Sequence, residues 1–478
     1  MATTPTDDED QIAGHGVIVR AANGDVIRYD PTGVVLRLSD RVIADIALRL
    51  GASPPEDAPA QAARPDPKRQ DGARDDLLDD VDAWGVTQDG DWMRFTARMP
   101  GAQGPRGFRR HIDGGTILGD GPGAVMGILG LGGPRAALAT TAPSAFPHHI
   151  VAAADDIGAV GMAGIALAPE TDRLEPLRET PQEALVAETI LYWQMDKFAP
   201  LPLIVTRVET DNSACTADLA RGRAVENLIR AAQNLKAAAA LMGKRAKILG
   251  ICLDYALEHV TGDATAYRDG MLAVMARLTE GLARLGYENP LFVARFEAGL
   301  DPADAAAVIA GQWELAWNHG DHRLIFAAPS YAFARDSHDR PTDAARRQMA
   351  ELTAAALAEG QAWRCPTLFL AEWEPGGAPV IRVTAQADGP LVLTDPDDTG
   401  FALSGDSAVV IETVALADDD PQAVLITTSA KADGLSLSYG AGRSGGLRDA
   451  WAMQSRTGAM LHRWALPAIL PIRGGRDA

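Results

Sequence analysis

The sequence predicts an α/β protein: a doubly wound parallel sheet, an appended C-terminal β-sandwich and a small N-terminal docking element. Three observations predict it. Between about Gly123 and Leu357, short apolar runs bounded by turn residues alternate with long Ala/Leu/Arg-rich stretches of helical period. After Cys365 that period gives way to short runs separated by Asp, Gly and Pro clusters. Residues 52–80, rich in Pro, Ala, Asp and Arg without periodicity, set all of this apart from the first fifty residues.

Taken in order, residues 14–30 (GHGVIVRAANGDVIRYD) place two alternating runs around Asn23-Gly24, residues that tolerate positive φ, which predicts a hairpin. Ser39 to Leu50 then has an N-cap, apolar residues at helical spacing and a closing Gly51. A hairpin and one helix are too small to fold alone, so residues 1–51 read as a docking or assembly element, joined by the 52–80 linker to a small β segment over 81–118 around Asp89-Gly90. Within 119–360 the runs Leu201–Val205, Ile248–Leu253, Leu291–Ala294 and Leu324–Ala328 have the character of parallel strands buried on both faces. Between and after them, Arg223–Met242, Ala264–Leu285, Pro302–Trp317 and Asp343–Leu357 are predicted helices. Ligands of such a sheet bind beyond the carboxyl ends of its strands. Over 361–450 the runs Pro379–Ala385, Leu391–Thr394, Ala408–Val414, Ala423–Thr428 and Leu435–Tyr439 predict the sandwich, and 451–478 is expected to be a tail packed on the main domain.

Composition narrows the function classes. The chain has 478 residues, 44 Lys plus Arg against 64 Asp plus Glu, and a net charge of −20, which argues against binding a phosphate backbone. Nucleic acid is not an expected partner. Cys215, Cys252 and Cys365 lack disulfide or zinc spacing. The start MATTPTDDEDQ has no basic region followed by an apolar stretch, and no window reaches the ~18 apolar residues of a spanning helix. Cytoplasmic synthesis without a signal peptide or membrane insertion is therefore expected.

Several local patterns have ordinary explanations. The run Gly127–Gly133 lacks the Lys-Ser/Thr of a phosphate-binding loop and reads as a tight turn. Gly405-Asp406-Ser407 precedes a β-branched run and reads as a hairpin turn rather than a nucleophile elbow. His148 and His149 are adjacent and point apart on a strand, and His319 and His322, flanking Asp321, have no third ligand in view. No cofactor is expected. Trp313 and Trp317, four residues apart on a helix, read as core; Trp363 and Trp373, at the entrance to the sandwich, are either core or platforms for sugar rings.

From about Gly127 to Trp451 the chain resembles the SGNH (GDSL-like) hydrolases, specifically the sialate O-acetylesterase-like members found in prophage and gene-transfer-agent clusters. The resemblance rests on the order of ALATTAPSAFPHHI, LMGKRAKILGI, TGDATAYRDGMLAVMARL, PSYAFARDSHDRPTDAARRQMAEL and SYGAGRSGGLRDAW. It implies a serine nucleophile after the first strand, an oxyanion hole from a glycine and an amide side chain, and a late histidine base. On this chain the first block is GILGLGGPR, with glycine at the serine position. The second is RVETDNSAC, without the glycine; the third is Cys252-Leu253-Asp254-Tyr255, without the amide; and in the fourth, Asp336 to Thr342, Arg340 stands at the base's position.

All four departures together predict a hydrolase fold without hydrolase chemistry. The resemblance then implies a structural or adhesive component, a spike, fibre base or tail protein of a phage-like particle. Such a protein is expected to form a homo-oligomer, to meet other particle proteins through its N-terminal element, and to touch cell-surface polysaccharide, with Trp363 and Trp373 as candidates. The alternative is a carbohydrate O-acetylesterase with Ser213 as nucleophile, His338 as base and Asp336 or Asp339 orienting the ring.

Overall fold

The computed structural model describes residues 16–20, 26–30, 33–37, 78, 81–161, 166–211, 215–254, 263–296, 302–338, 340–395, 398–405, 408–441 and 445–474. Its contacts divide the chain into two units, Met1–Arg74 and Asp75–Ala478. In the first, β1 (Gly16–Arg20), β2 (Val26–Asp30) and β3 (Gly33–Arg37) form an antiparallel sheet in that order, so the expected hairpin gains a third strand. The helix expected over Ser39–Leu50 and the linker after it lie outside the described residues.

The second unit opens with an antiparallel meander, β4 (Ala83–Asp89), β5 (Trp92–Ala97), β6 (Arg106–His111) and β7 (Gly114–Gly119). Gly90, at φ +59, turns β4 into β5 as the Asp-Gly pair predicted. The central sheet follows. β8 (Val125–Gly132) leads to the short β9 (Ala139–Thr140), then β10 (Ile150–Ala153), β11 (Val160–Gly161), β12 (Leu174–Pro176) and β13 (Thr180–Pro181). Next come α1 (Gln182–Asp196), β14 (Ile204–Thr210), α2 (Thr216–Leu219), α3 (Arg223–Leu241) and β15 (Ala246–Asp254). The region closes with α4 (Ala264–Arg284), β16 (Leu291–Phe296), α5 (Pro302–Trp317), β17 (Arg323–Pro329) and α6 (Asp343–Glu359).

The sheet runs β12-β10-β14-β8-β15-β16-β17, parallel except for the edge strand β12. Helices cover both faces. Ile128 of β8 shares a core with Ala184, Ala187 and Leu191 of α1 and with Ala350 and Ala354 of α6. Its neighbours Leu129 and Leu131 instead join Leu228 of α3 and Val274 of α4. That alternation is what a strand buried on both sides requires.

Two expectations fail here. Gly127–Gly132 is not a tight turn but most of the central strand β8. A Cβ on Gly127 would lie 2.6 Å from Leu235 of α3, and one on Gly130 would run into the Glu183 carboxylate of α1. Glycine is needed because the helices sit directly on the strand, not because the backbone turns. The residues after Trp451 are likewise no tail.

Beyond α6 the chain is all β. β18 (Thr367–Trp373), β19 (Val380–Gln386), β20 (Leu391–Leu393), β21 (Phe401–Ser404), β22 (Ile411–Leu416), β23 (Ala423–Thr428), β24 (Ser436–Tyr439), β25 (Leu447–Gln454), β26 (Met460–Trp464) and β27 (Ala468–Arg473) follow one another. They make a seven-stranded sheet, β21-β24-β27-β18-β19-β23-β22, and a three-stranded sheet, β20-β25-β26. The C-terminal strand β27 lies inside the larger sheet, antiparallel to β24 and parallel to β18, because Ala468 and Leu470 alternate into the shared core. A buried joint ties this region to the α/β region: the Tyr331 hydroxyl, just past β17, meets the Tyr439 hydroxyl at 2.9 Å and donates to the Ala465 carbonyl at 2.6 Å.

Candidate functional site

The chain leaves β8 toward β10 and β14, then returns past β8 to β15, so the crevice at the carboxyl ends of β8 and β15 is where a doubly wound sheet places its ligand. Gly132 ends β8 there, level with Thr210 of β14 and Asp254 of β15. It is the position at which the SGNH pattern expects the nucleophile. A Cβ at Gly132 would lie 2.5 Å from the Ala136 Cβ and closer still to the Asp254 carbonyl oxygen. A serine does not fit without displacing backbone.

The crevice itself is filled by charge. Asp254 pairs with Arg295 of β16, their side chains only 10 % and 15 % exposed. Arg346 of α6 donates to the Leu138 carbonyl at 3.0 Å and the Thr180 carbonyl at 3.3 Å, while the Gln182 amide donates to the Arg346 carbonyl at 2.8 Å. Arg335 donates to the Ser330 hydroxyl at 3.1 Å. Among the described residues, Phe333, Pro341 and Met349 line the remaining space, a cavity of about 30 Å³. That is room for about two waters, against the ~300 Å³ or more of a small-molecule site.

Beneath the crevice lies Glu183, in the first turn of α1, against Gly130 and with its Oε2 buried and lacking a hydrogen bond. Burial pushes its carboxyl up to about 7, and the nearby Arg295 and Arg346 guanidinium groups only partly counter this. Burial, and then the Glu183 carboxylate, push the Cys252 thiol up as well, so it is no nucleophile at neutral pH. A second buried cluster spans β14: Arg207 donates to Glu209 at 2.7 Å and to Asp155 at 3.1 Å. Desolvation raises the Glu209 carboxyl, with Arg207 pulling it back.

The sequence candidates fall as follows. Ser213 and Asp339 lie outside the described residues, as do Asp406 and Ser407. His338 is exposed, and its Nδ1 lies 3.3 Å from the hydroxyl of the adjacent Ser337. Asp336 does not orient that ring. One of its oxygens accepts the backbone N–H groups of His338 and Arg340 at 2.8 and 3.0 Å, and the other takes the Arg340 guanidinium at 3.0 and 3.1 Å. Those bonds hold its carboxyl below the usual range. The acid therefore shapes a turn around Arg340.

The two tryptophans offer no platform. Trp363 is 3 % exposed, donates to the Phe326 and Ala327 carbonyls, and has Arg463 over one side and Trp451 edge-on at 4.9 Å. Trp373 is 7 % exposed, with Lys431 over its ring at 5.6 Å. Their faces are spent on core contacts, which corrects their candidacy for glycan. His149 is buried under Phe108, its imidazole pushed down to about 4 by desolvation, then by His148 and Arg106. The His319 ring is turned onto the His322 carbonyl at 2.7 Å. Among the described residues no three His, Cys, Asp or Glu converge as metal ligands, and no helix is long and apolar enough to cross a membrane.

Sequence reasoning missed Glu183, Arg295 and Arg346. The available signal was a charged residue inside an otherwise apolar run, Arg295 in LFVARF.

No known family model matches the chain, and no curated protein sequence does. Among solved structures, a carbohydrate acetylesterase from Xanthomonas citri is similar at 12 % identity and a TM-score of 0.47, covering 77 % of this chain and 85 % of that one. The N-terminal part of the bacterial S-layer protein SbsC is similar at 11 % and 0.15, over 42 % and 37 %. The endo-β-1,4-mannanase from Thermotoga petrophila is similar at 10 % and 0.22, over 62 % and 71 %.

Proposed function

We propose that this chain is a non-catalytic structural and adhesive protein in which an SGNH-like fold serves as a rigid scaffold. In this reading it is a spike, fibre-base or tail component of a phage-like or gene-transfer-agent particle. The N-terminal unit attaches it to other particle proteins, and the all-β region, read as a sandwich, faces host polysaccharide through a surface other than Trp363 and Trp373. The observation that supports the absence of chemistry best is the closed switch-point crevice, with Gly132 lacking room for a Cβ and the Asp254–Arg295 pair beside it. Acyl transfer needs an alcohol, a base and oxyanion donors around an open acyl site. A cavity of about 30 Å³ is too small for an acetyl ester.

The test is hydrolysis of an activated acetyl ester and of O-acetylated sialic acid by the full chain. The expected result is no turnover above buffer. Turnover abolished by Ser213→Ala and by His338→Ala would overturn the scaffold reading and establish the esterase.

A further inference from the structure

Phe198 departs from the rest of the surface in two ways. It follows α1 in the left-handed region, at φ +55, and it is 93 % exposed. The local hydrogen bonds account for the backbone. The Phe198 amide donates to the Met195 carbonyl at 2.9 Å and the Ala199 amide to the Gln194 carbonyl at 2.8 Å. This is the bond pair of a Schellman stop, whose left-handed position is ordinarily glycine. A bulky aromatic residue there strains the backbone and presents a whole ring to water, and neither helps the helix to end. An outlier of this kind points to a role for the ring itself.

The same unit has a socket with a mostly apolar floor. Between the β6–β7 hairpin, β12 and α3 lies a cavity of about 340 Å³, walled by Trp92, Leu174, Ala238 and Met242. An apolar cavity of roughly 150 Å³ already takes up benzene. Trp92 is a fixed wall, because its indole N–H donates to the Leu241 carbonyl at 3.0 Å. At the mouth, Asp113 and Asp172 share one cation, Arg173, at 3.4 and 3.9 Å, which leaves excess negative charge. Lys197, exposed and next to Phe198, carries the complementary sign.

The ring cannot enter the socket of its own chain. The Ala199 carbonyl is held by Arg106 at the start of β6, at 3.1 Å, whereas His111 at the far end of β6 lines the socket. Five residues of strand separate them, about 17 Å.

We propose that Phe198 of one copy inserts between Trp92, Leu174 and Met242 of a second copy, with Lys197 over Asp113 and Asp172. The contact joins two different surfaces, so it propagates head to tail and yields a ring or a filament. It is independent of the catalytic question, since an active esterase would pair in the same way.

Sedimentation velocity on the full chain, from micromolar to near-millimolar concentration, tests it. Phe198→Gly removes the ring while supplying the residue the Schellman turn favours, so its melting temperature should equal or exceed the wild type's. Thr116→Trp fills the socket from its rim. The wild type is expected to gain mass with concentration and each variant to lose that gain. An equimolar mixture of the two variants should then form a species of two chains and no larger, because one retains the socket and the other the knob. If Thr116→Trp fails to fold, Asp172→Lys replaces it. A wild type that stays a single chain across this range, a Phe198→Gly protein that assembles as the wild type does, or a mixture that stays unpaired would each overturn the proposal.

Discussion

Replacing Glu183 by Gln should change how stability depends on pH more than it changes stability at any one pH. Burial moves this carboxyl from an ordinary 4.5 to about 7. The native chain therefore keeps the proton up to about pH 7, while the unfolded chain releases it above about 4.5. The stabilising contribution is complete below 4.5, falls as pH rises toward 7, and is absent above it. At about 1.4 kcal/mol per pH unit, the whole span is about 3.5 kcal/mol, of which about 2.5 kcal/mol falls between pH 5 and pH 8. Gln cannot ionise, so that slope disappears from the variant. The substitution also puts an amide where Oε2 now has no partner, a pH-independent cost of about 1–3 kcal/mol. Urea unfolding followed by circular dichroism at pH 5, 6, 7 and 8 should show the variant weaker than the wild type at pH 5 and equal or stronger at pH 8. A difference between the two proteins that stays constant across this range would mean that Glu183 is ionised in the native state, and the reasoning would fail.

Gly132→Ser should lose about 1–3 kcal/mol to overpacking and gain no acetyl-ester turnover, as read by unfolding and by release of acetate. Asp254→Ala removes the carboxylate that pairs with the nearly buried Arg295 and should lose about 3–5 kcal/mol in the same unfolding assay. Tyr331→Phe leaves the Ala465 carbonyl short of a donor and should cost about 1–3 kcal/mol. Calorimetry should show that loss as an earlier, separable melting of the all-β region.

How much was legible varies with how locally each feature is determined. The parallel strands β15, β16 and β17 were readable because their centres are unbroken apolar runs, as burial on both faces requires, and the helices because their apolar stripe repeats within the segment. β8 was not readable as a strand, since Gly127, Gly130 and Gly132 are dictated by Leu235, Glu183 and Asp254, residues distant in sequence that press on it. β27 was mistaken for a tail because its partners, β18 and β24, are set by tertiary pairing rather than by its own pattern. At the crevice, the glycine at the position where the resemblance implies a serine was visible in the sequence. The means of its closure was not, because Asp254, Arg295 and Arg346 sit on three separate elements and only the fold brings them together.

Under the scaffold reading proposed above, the packing around Gly132 has a consequence for stability. Removing one catalytic hydroxyl from an enzyme leaves an open acyl pocket, and an open pocket of ligand size is a void that a scaffold gains nothing by keeping, at about 24 cal/mol for each Å³ of apolar cavity. Here the space a side chain at Gly132 would need is occupied by neighbouring backbone, an ion pair stands beside it, and Phe333, Pro341 and Met349 line what remains among the described residues. Under that reading, acyl transfer at Gly132 would require a serine, a displaced β15 carbonyl, a broken Asp254–Arg295 pair and a base together. Each of the first three costs stability before any rate is gained, and this is why Gly132→Ser alone is expected to weaken the protein without producing turnover.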